Sequence, residues 1–355
     1  MNGRHKWRLW VILSHGLIAL AANPLLAQDT LTIASNGGSI ADAQRMAFVE
    51  PFTKANSVRV VEDVFNQELA KIRTQVETKN IQWDVVSVTA INEATACDEG
   101  LLEPIDWSKH LDAKLFAGVG GFGKCGVPHN FVSGGLAYDG DKIADPPKSW
   151  SDFWDIKKYP GKRGLLYRAE QTFEVALMAD GVEPKDAMAV LSAPGGVERA
   201  FKKLAEIKPH VLWWKSGDES MRLLLSGDVA MTYAWNGRVA AANKANNRHL
   251  KILFGPGHVS GSQIYAIMKG TPKKELAIRY IVFASQPGPQ AEFARIINYA
   301  PANEAAYGLM SAADRATLPQ DHLDRASLQA GSLYFNFWLD KGDAVLQQFI
   351  KFAAQ

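Results

Sequence analysis

Three short apolar runs, Thr30 to Ser35, Val58 to Val64 and Trp83 to Val88, alternate with two stretches of helical spacing. That rhythm restricts the chain to folds in which strands and helices take turns, with helices covering a mostly parallel sheet. Ile40 to Lys54 opens after Gly37-Gly38-Ser39 and sets Met46, Phe48, Val49 and Phe52 on one side of a helix. Gln67 to Thr78 reads as a second helix. The third run, WDVVSV, is almost continuously apolar, as expected of a strand covered on both faces. Near residues 126–131 the rhythm breaks, and a new α/β region follows. There Ser149 to Trp154 enters a helix stopped by Pro160-Gly161, Gly164 to Tyr167 is a strand and Glu170 to Met178 a helix. Ser220 to Ser226 is helical, Val229 to Ala234 and residues 263–268 are strands, and Lys274 to Ser285 and Asp343 to Ala354 are helices. No repeat, low-complexity tract or long linker interrupts this, so the chain is expected to cross between two domains more than once.

Residues 1–27 carry a separate message. Arg4, Lys6 and Arg8 precede a mostly apolar stretch, Leu9 to Ala22, and Pro24-Leu25-Leu26-Ala27 ends on a small residue. The apolar run is too short to span a bilayer, and no stop-transfer segment follows it, which predicts a secretory signal cleaved near Ala27. A buried N-terminal helix is the plainer alternative. No cysteine lies near the cleavage point, so a lipidated N-terminus is not expected. The net charge of +2 and the absence of a Lys/Arg block give no footprint for nucleic acid. Cys97 and Cys125 are the only cysteines. Outside the cytoplasm such a pair is expected to form a disulfide worth about 3 kcal/mol. A metal or redox pair is the alternative, but the spacing is not C-x-x-C and no histidine stands at ligand distance in sequence.

The catalytic motifs are missing. Gly118 to Gly123 matches G-x-G-x-x-G in letters only, because a polar segment precedes it and a cysteine, a glycine and a proline follow closely. Neither H-E-x-x-H nor G-x-S-x-G occurs, and GHVSG at 257–261 has the wrong spacing. No cofactor and no metal are expected. Gly37-Gly38-Ser39 admits two readings, a backbone approach to an anionic ligand at a helix start or an ordinary turn capped by Ser39. Trp213, Trp214, Tyr233, Trp235 and Tyr265 are core or pocket wall. Trp235-Asn236-Gly237-Arg238 follows directly on a strand, where α/β sheets open their ligand crevices.

Taken in order, Trp83-Asp84-Val85-Val86, Val127-Pro128, Gly135 to Tyr138, Ser149-Trp150, Tyr159-Pro160-Gly161, Leu225 to Asp228, Trp235-Asn236-Gly237 and Tyr299 to Asn303 resemble a known family. It is that of the periplasmic solute-binding proteins of ABC importers, in the branch of the spermidine/putrescine-binding proteins. The resemblance covers essentially the whole chain after residue 27. It implies a periplasmic-binding-protein-like fold of two α/β lobes with a hinge and an interlobe ligand cleft, crossed first near Phe131. Lobe I is then 28–132 plus about 262–300, and lobe II 133–261 plus about 301–355. The resemblance also implies a periplasmic monomer that delivers a small molecule to permease subunits in the inner membrane.

The ligand is where the sequence departs from that branch. Positions that carry cleft carboxylates in polyamine binders hold Arg168, Gln171 and Gln263 here, and an aromatic is replaced by Gly261. Thr89 falls where a hydroxyl contact is expected, and Trp235 keeps its aromatic place. An ammonium group buried without a carboxylate is costly, whereas a guanidinium suits a carboxylate or phosphonate bidentately. The expected ligand is therefore anionic or zwitterionic, such as an ω-amino acid, a carboxylate or a phosphonate. Arg168, Arg238 and the Gly38/Ser39 turn would grip its anion, and Trp235 and Tyr265 would pack its apolar part. Alternatively Arg168 points to solvent, and polyamine binding holds. A secreted enzyme and a receptor-presented sensor are the rival functions, and no paired acid and base in the cleft supports the first. The absence of a Tyr-Tyr pair argues against iron.

Overall fold

The structure, a computed structural model, describes residues 29–65, 67–315 and 318–355, so the signal expected at residues 1–27 lies outside the described residues. The strands are β1 Thr30–Ser35, β2 Arg59–Val64, β3 Val85–Thr89, β4 Gly126–Asp139, β5 Arg163–Leu166, β6 Val211–Trp214, β7 Met231–Trp235, β8 Leu250–Leu253, β9 His258–Ile267, β10 Ala300–Pro301 and β11 Ala326–Leu328. The helices of the first half are α1 Ser39–Gln44, α2 Glu50–Asn56, α3 Leu69–Glu77, α4 Ala90–Asp98, α5 Trp150–Trp154, α6 Ala169–Ala179 and α7 Ala187–Ser192. Those of the second half are α8 Gly196–Ile207, α9 Gly217–Ser226, α10 Asn236–Asn246, α11 Lys274–Ala284, α12 Pro287–Ile297, α13 Ala312–Arg315 and α14 Gly331–Ala354.

The strands follow one path, β2-β1-β3-β9-β4-β7-β5-β6. At its two ends the strands are parallel, β1 with β2 and β3, and β5 with β6 and β7. At its centre β4 and β9 are long and antiparallel. Each carries the chain from one parallel set to the other, and a strand that returns must run opposite to the one that left. This is why the β-α rhythm stops at residue 126. Pro128 has no N–H to give the ladder, and the β4–β9 register shifts between Pro128 and Asn130.

Apolar layers cover both sets. Leu31, Ile33, Phe48, Phe52 and Tyr280 pack on one face of the β1–β3 set. Phe65, Ile72, Val86, Val88 and Leu102 pack on the other. A larger core, with Phe173, Leu177, Leu204, Trp214 and Phe349, serves the β5–β7 set. Trp235 packs against the first and the last of these three. The Cys97–Cys125 disulfide forms, tying the end of α4 to the approach to β4.

Several elements differ from expectation. A π-helical turn, Arg45–Val49, joins α1 to α2 and shifts the helical phase, so Phe48, Val49 and Phe52 are buried while Met46 faces solvent. Helix α14 begins at Gly331, well before residue 343. Helices α4, α10 and α12 carry mixed small and polar residues that give little period, whereas α8 sets Ala200, Leu204 and Ile207 on one buried face and was an unread helical pattern. After β10 the chain does not pass at once to the β5–β7 set, because Ala306, Met310 and Leu318 pack with Ala291 and Ala294 of α12. It reaches β9's other end only at β11.

Candidate functional site

Strand-to-helix turns after six strands converge on a cavity of about 580 Å³. Gly37 and Gly38 lead into α1, Thr89 into α4, Arg168 into α6, Ser216 into α9, Trp235 into α10 and Gln329 into α14. Helix starts present N–H groups with no intrahelical partner, so a crevice at the carboxyl ends of the strands favours acceptor-rich or anionic ligands. Part of this capacity is already used. Thr89 Oγ1 accepts from Asn92 N (3.3 Å), and Ser216 Oγ accepts from Glu219 N (3.2 Å). Glu219 reaches back to Lys215 N (2.8 Å).

Of the residues singled out in the sequence, Gly38, Thr89, Arg168, Gln171, Trp235, Arg238 and Gln263 line this cavity together. Apolar wall comes from Trp235, Ile91, Val132 and Val259. Tyr265 does not belong to it. On β9 it lies opposite Ser87, two residues deeper than the Thr89–Gln263 pair that marks the end of β3. It is fully buried, stacked on His129 at 3.9 Å and edge-on to Tyr280. Trp214 and Tyr233 are core as well. Ser39 is outside the lining, and its hydroxyl instead meets Arg238.

The two arginines differ in how they are held. Arg238 Nη1 donates to Asp218 Oδ1 (2.8 Å) and to Ser39 Oγ (2.9 Å), and Nη2 donates to Gly37 O (3.2 Å). Its side chain is only 9% exposed. It therefore joins α10 and α9 to the β1–α1 turn across the cavity. Gly38 is necessary at that junction. Its φ is +72°, and a Cβ there would stand 2.7 Å from Asp218 Oδ2 and 2.9 Å from Arg238 Nη1. Gly217 is similarly constrained, since its Cβ would meet Arg238 Nε at 2.9 Å. Arg168 is 37% exposed, and its ion-pair contact is Glu170 Oε2 at 3.9 Å.

At the start of α6 the backbone leaves the helical region, with Gln171 at φ +70°. This strained position turns the side chain into the cavity. Gln171 Oε1 accepts from Tyr233 Oη (2.9 Å) and Trp235 Nε1 (3.0 Å), and Nε2 faces Gln329 Oε1 at 3.4 Å. With the oxygen held by two donors, the amide is fixed in orientation. Gln263 Oε1 is buried without a hydrogen-bond partner, an acceptor facing the same space. Behind Arg168, burial raises the Glu170 carboxyl above its ordinary range and pushes Glu174 up to about 8.

Sequence reading missed Gln67, Ser216, Asp218, Gln329 and Tyr334. Ser216-x-x-Glu219 is a capping box and would have located the α9 turn. The turn before α14 had no such signal, because β11 is only three residues long.

Two carboxylates line the cavity among the described residues, and both are engaged, Glu68 with Lys71 at 2.9 Å and Asp218 with Arg238. One group of Glu93, Cys97 and Cys125 sits within reach of a metal, but its sulfurs are joined in the disulfide.

Comparison with known proteins gives one consistent picture. Residues 47–319 match the family described as bacterial extracellular solute-binding protein. A gamma-aminobutyric acid-binding protein of Pseudomonas aeruginosa is 39% identical over 338 residues, 95% of each chain. Spermidine/putrescine-binding periplasmic protein 1 of Haemophilus influenzae is 26% identical over 206 residues, 55% of each chain. The crystal structure of an ABC transporter substrate-binding protein from Bradyrhizobium japonicum superposes with a TM-score of 0.82 at 33% identity, over 92% of this chain and 99% of that one.

Proposed function

This chain belongs to the family of bacterial extracellular solute-binding proteins, and from that premise we propose that it captures a small ω-amino acid of the γ-aminobutyrate type. Its role is that of the substrate-binding component of an ABC importer. The observation that carries the ligand reading is the charge pattern of the cavity. Arg168 has only a long contact to Glu170, while the two lining carboxylates are committed to Lys71 and Arg238. A diammonium ligand would find no uncommitted carboxylate and would meet an arginine, which desolvation makes unfavourable. A carboxylate headgroup would find Arg168, the fixed Gln171 amide and the helix starts, while its methylenes lie on Trp235.

The lobes follow the sheet. The first comprises β1–β3, α11, α12 and the segment through Leu318, and the second comprises the β5–β7 set with β11 and α14. The continuous β4 and β9 serve as the hinge. Closure brings the α9 and α10 starts onto the β1–α1 turn, so Arg238 acts as the clasp of the closed form and not as the anion holder. Further parts of the proposal are export through residues 1–27, action as a periplasmic monomer and capture without turnover.

A thermal-shift and calorimetric titration of the protein with γ-aminobutyrate, 5-aminovalerate, butyrate and putrescine tests the ligand reading. A ligand at a hundredfold excess over Kd stabilises the folded state by about 2.7 kcal/mol. The ω-amino acids are expected to shift the melting temperature and putrescine is not. A putrescine shift without an amino acid shift overturns the reading.

A further inference from the structure

Glu174 is fully buried and neither of its carboxylate oxygens has a hydrogen-bond partner. Glu170, four residues earlier at the non-helical kink, places Oε1 at 3.5 Å from Tyr334 Oη and Oε2 at 3.9 Å from Arg168 Nη1. The ligand reading above gives neither acid a role. Both belong to the kinked segment that supplies Arg168 and Gln171 to the cavity.

We propose that Glu170 competes with the ligand's carboxylate for Arg168, so that capture of the anion is accompanied by uptake of one proton from solvent onto the Glu170–Glu174 pair. The inference rests on the reading that Arg168 receives the anionic end. Charge counting drives it. On this proposal Glu170 is ionised in the free protein, Arg168 opposing the burial that raises its carboxyl, while Glu174 keeps its proton in an apolar surrounding. A bound carboxylate adds a second negative charge beside the same guanidinium. In a desolvated site two carboxylates and one cation relax by protonating one acid. The ligand then holds Arg168 and the neutral Glu170 remains against Tyr334.

The groups that face the pair are few. From its own segment there is Arg168, from α14 Tyr334, and from β7 Tyr233, which both burial and Glu174 hold in the neutral form. Helix α8 meets α6 through Phe201 against Phe173, and its Arg199 pairs with Asp180 beyond the far end of α6. Lys215 lies over the Tyr167 ring. The sign follows. Binding favours the protonated acid, so affinity is greatest below the free protein's carboxyl pKa and falls as pH rises through it. Glu174, at about 8, already holds its proton at neutral pH, so the window there belongs to Glu170.

The test is titration calorimetry of the full chain with γ-aminobutyrate in phosphate and in Tris, which differ in ionisation enthalpy, from about pH 5.5 to about pH 8.5. A one-proton linkage gives a buffer-dependent enthalpy and up to about a tenfold weakening per pH unit inside the window. Glu170→Gln is expected to abolish the buffer dependence, flatten the pH profile and tighten binding at about pH 8, since Arg168 loses its competitor. Glu174→Gln, isosteric with the protonated acid, is expected to keep the linkage at neutral pH and serves if the first variant does not fold. Binding with the same enthalpy in both buffers and a flat profile overturns this inference alone. Absence of binding by any ω-amino acid overturns it together with the ligand reading.

Discussion

Arg168, the residue that precedes α6 after β5, and Arg238, in the first turn of α10 after β7, both line the cavity. Their surroundings separate them. Arg238 is desolvated, and its Nη atoms are bonded to a carboxylate, a hydroxyl and a carbonyl, two of them from the β1–α1 turn across the cleft. Arg168 is more than a third exposed and holds only a long contact to Glu170. A buried guanidinium whose two Nη atoms are already bonded has little left for a ligand, and a half-open one without such bonds has more. Residue type is the same and both stand near a helix start, so the partner set does most to decide between closing the lobes and holding the cargo.

Arg168→Ala tests the capture side and carries the largest expected effect. Removing this half-exposed cation at the α6 start should weaken γ-aminobutyrate by about 3 kcal/mol, roughly a hundredfold, because a buried anion loses its partner. The melting temperature of the ligand-free protein should hardly change, since Arg168 makes no short bond in it. Affinity unchanged by this variant would break the comparison. Arg238→Ala comes next. It should weaken binding by about 2 kcal/mol through faster dissociation, and it should do so equally for every ligand in a series of chain lengths. Stopped-flow dissociation reads this directly, and a change in ligand preference would make Arg238 a ligand contact after all.

The α/β alternation, the crossing at residue 126 and the Cys97–Cys125 bridge were legible because each rests on local pattern or on there being only two cysteines. The six turns that form the cavity were only partly so. The turns after β1 and β7 announce themselves through Gly37-Gly38-Ser39 and Trp235-Asn236-Gly237-Arg238, whereas β11 is too short to produce a period. Tyr265 was misplaced because alternation gives the face of a strand but not the depth along it: Gln263 and Tyr265 point the same way, yet only the first is level with the end of β3. The distinct duties of Arg168 and Arg238 lie in contacts across the cleft, such as Arg238 with Ser39, between residues far apart in sequence. No local pattern encodes those.

Smaller effects sharpen the closing side. Asp218 is 66% exposed, so its pair with Arg238 is partly screened, and Asp218→Asn should weaken binding by about 1 kcal/mol. The loss should grow at low ionic strength in the wild type relative to the variant, which a salt titration of the dissociation rate resolves. Ser39→Ala removes one neutral acceptor of Arg238 Nη1, which retains Asp218. The expected loss is about 0.5 to 1 kcal/mol, the net worth of one hydrogen bond to a charged donor that keeps another partner. Ser39 is on the lobe facing α10, so this loss should appear only when the lobes are closed. Ligand-free melting should be unaffected and the dissociation rate should rise two- to fivefold. If Ser39→Ala instead lowers the ligand-free melting temperature, the hydroxyl serves the start of α1 in both open and closed forms. The clasp then consists of Asp218, Arg238 and the Gly37 carbonyl alone.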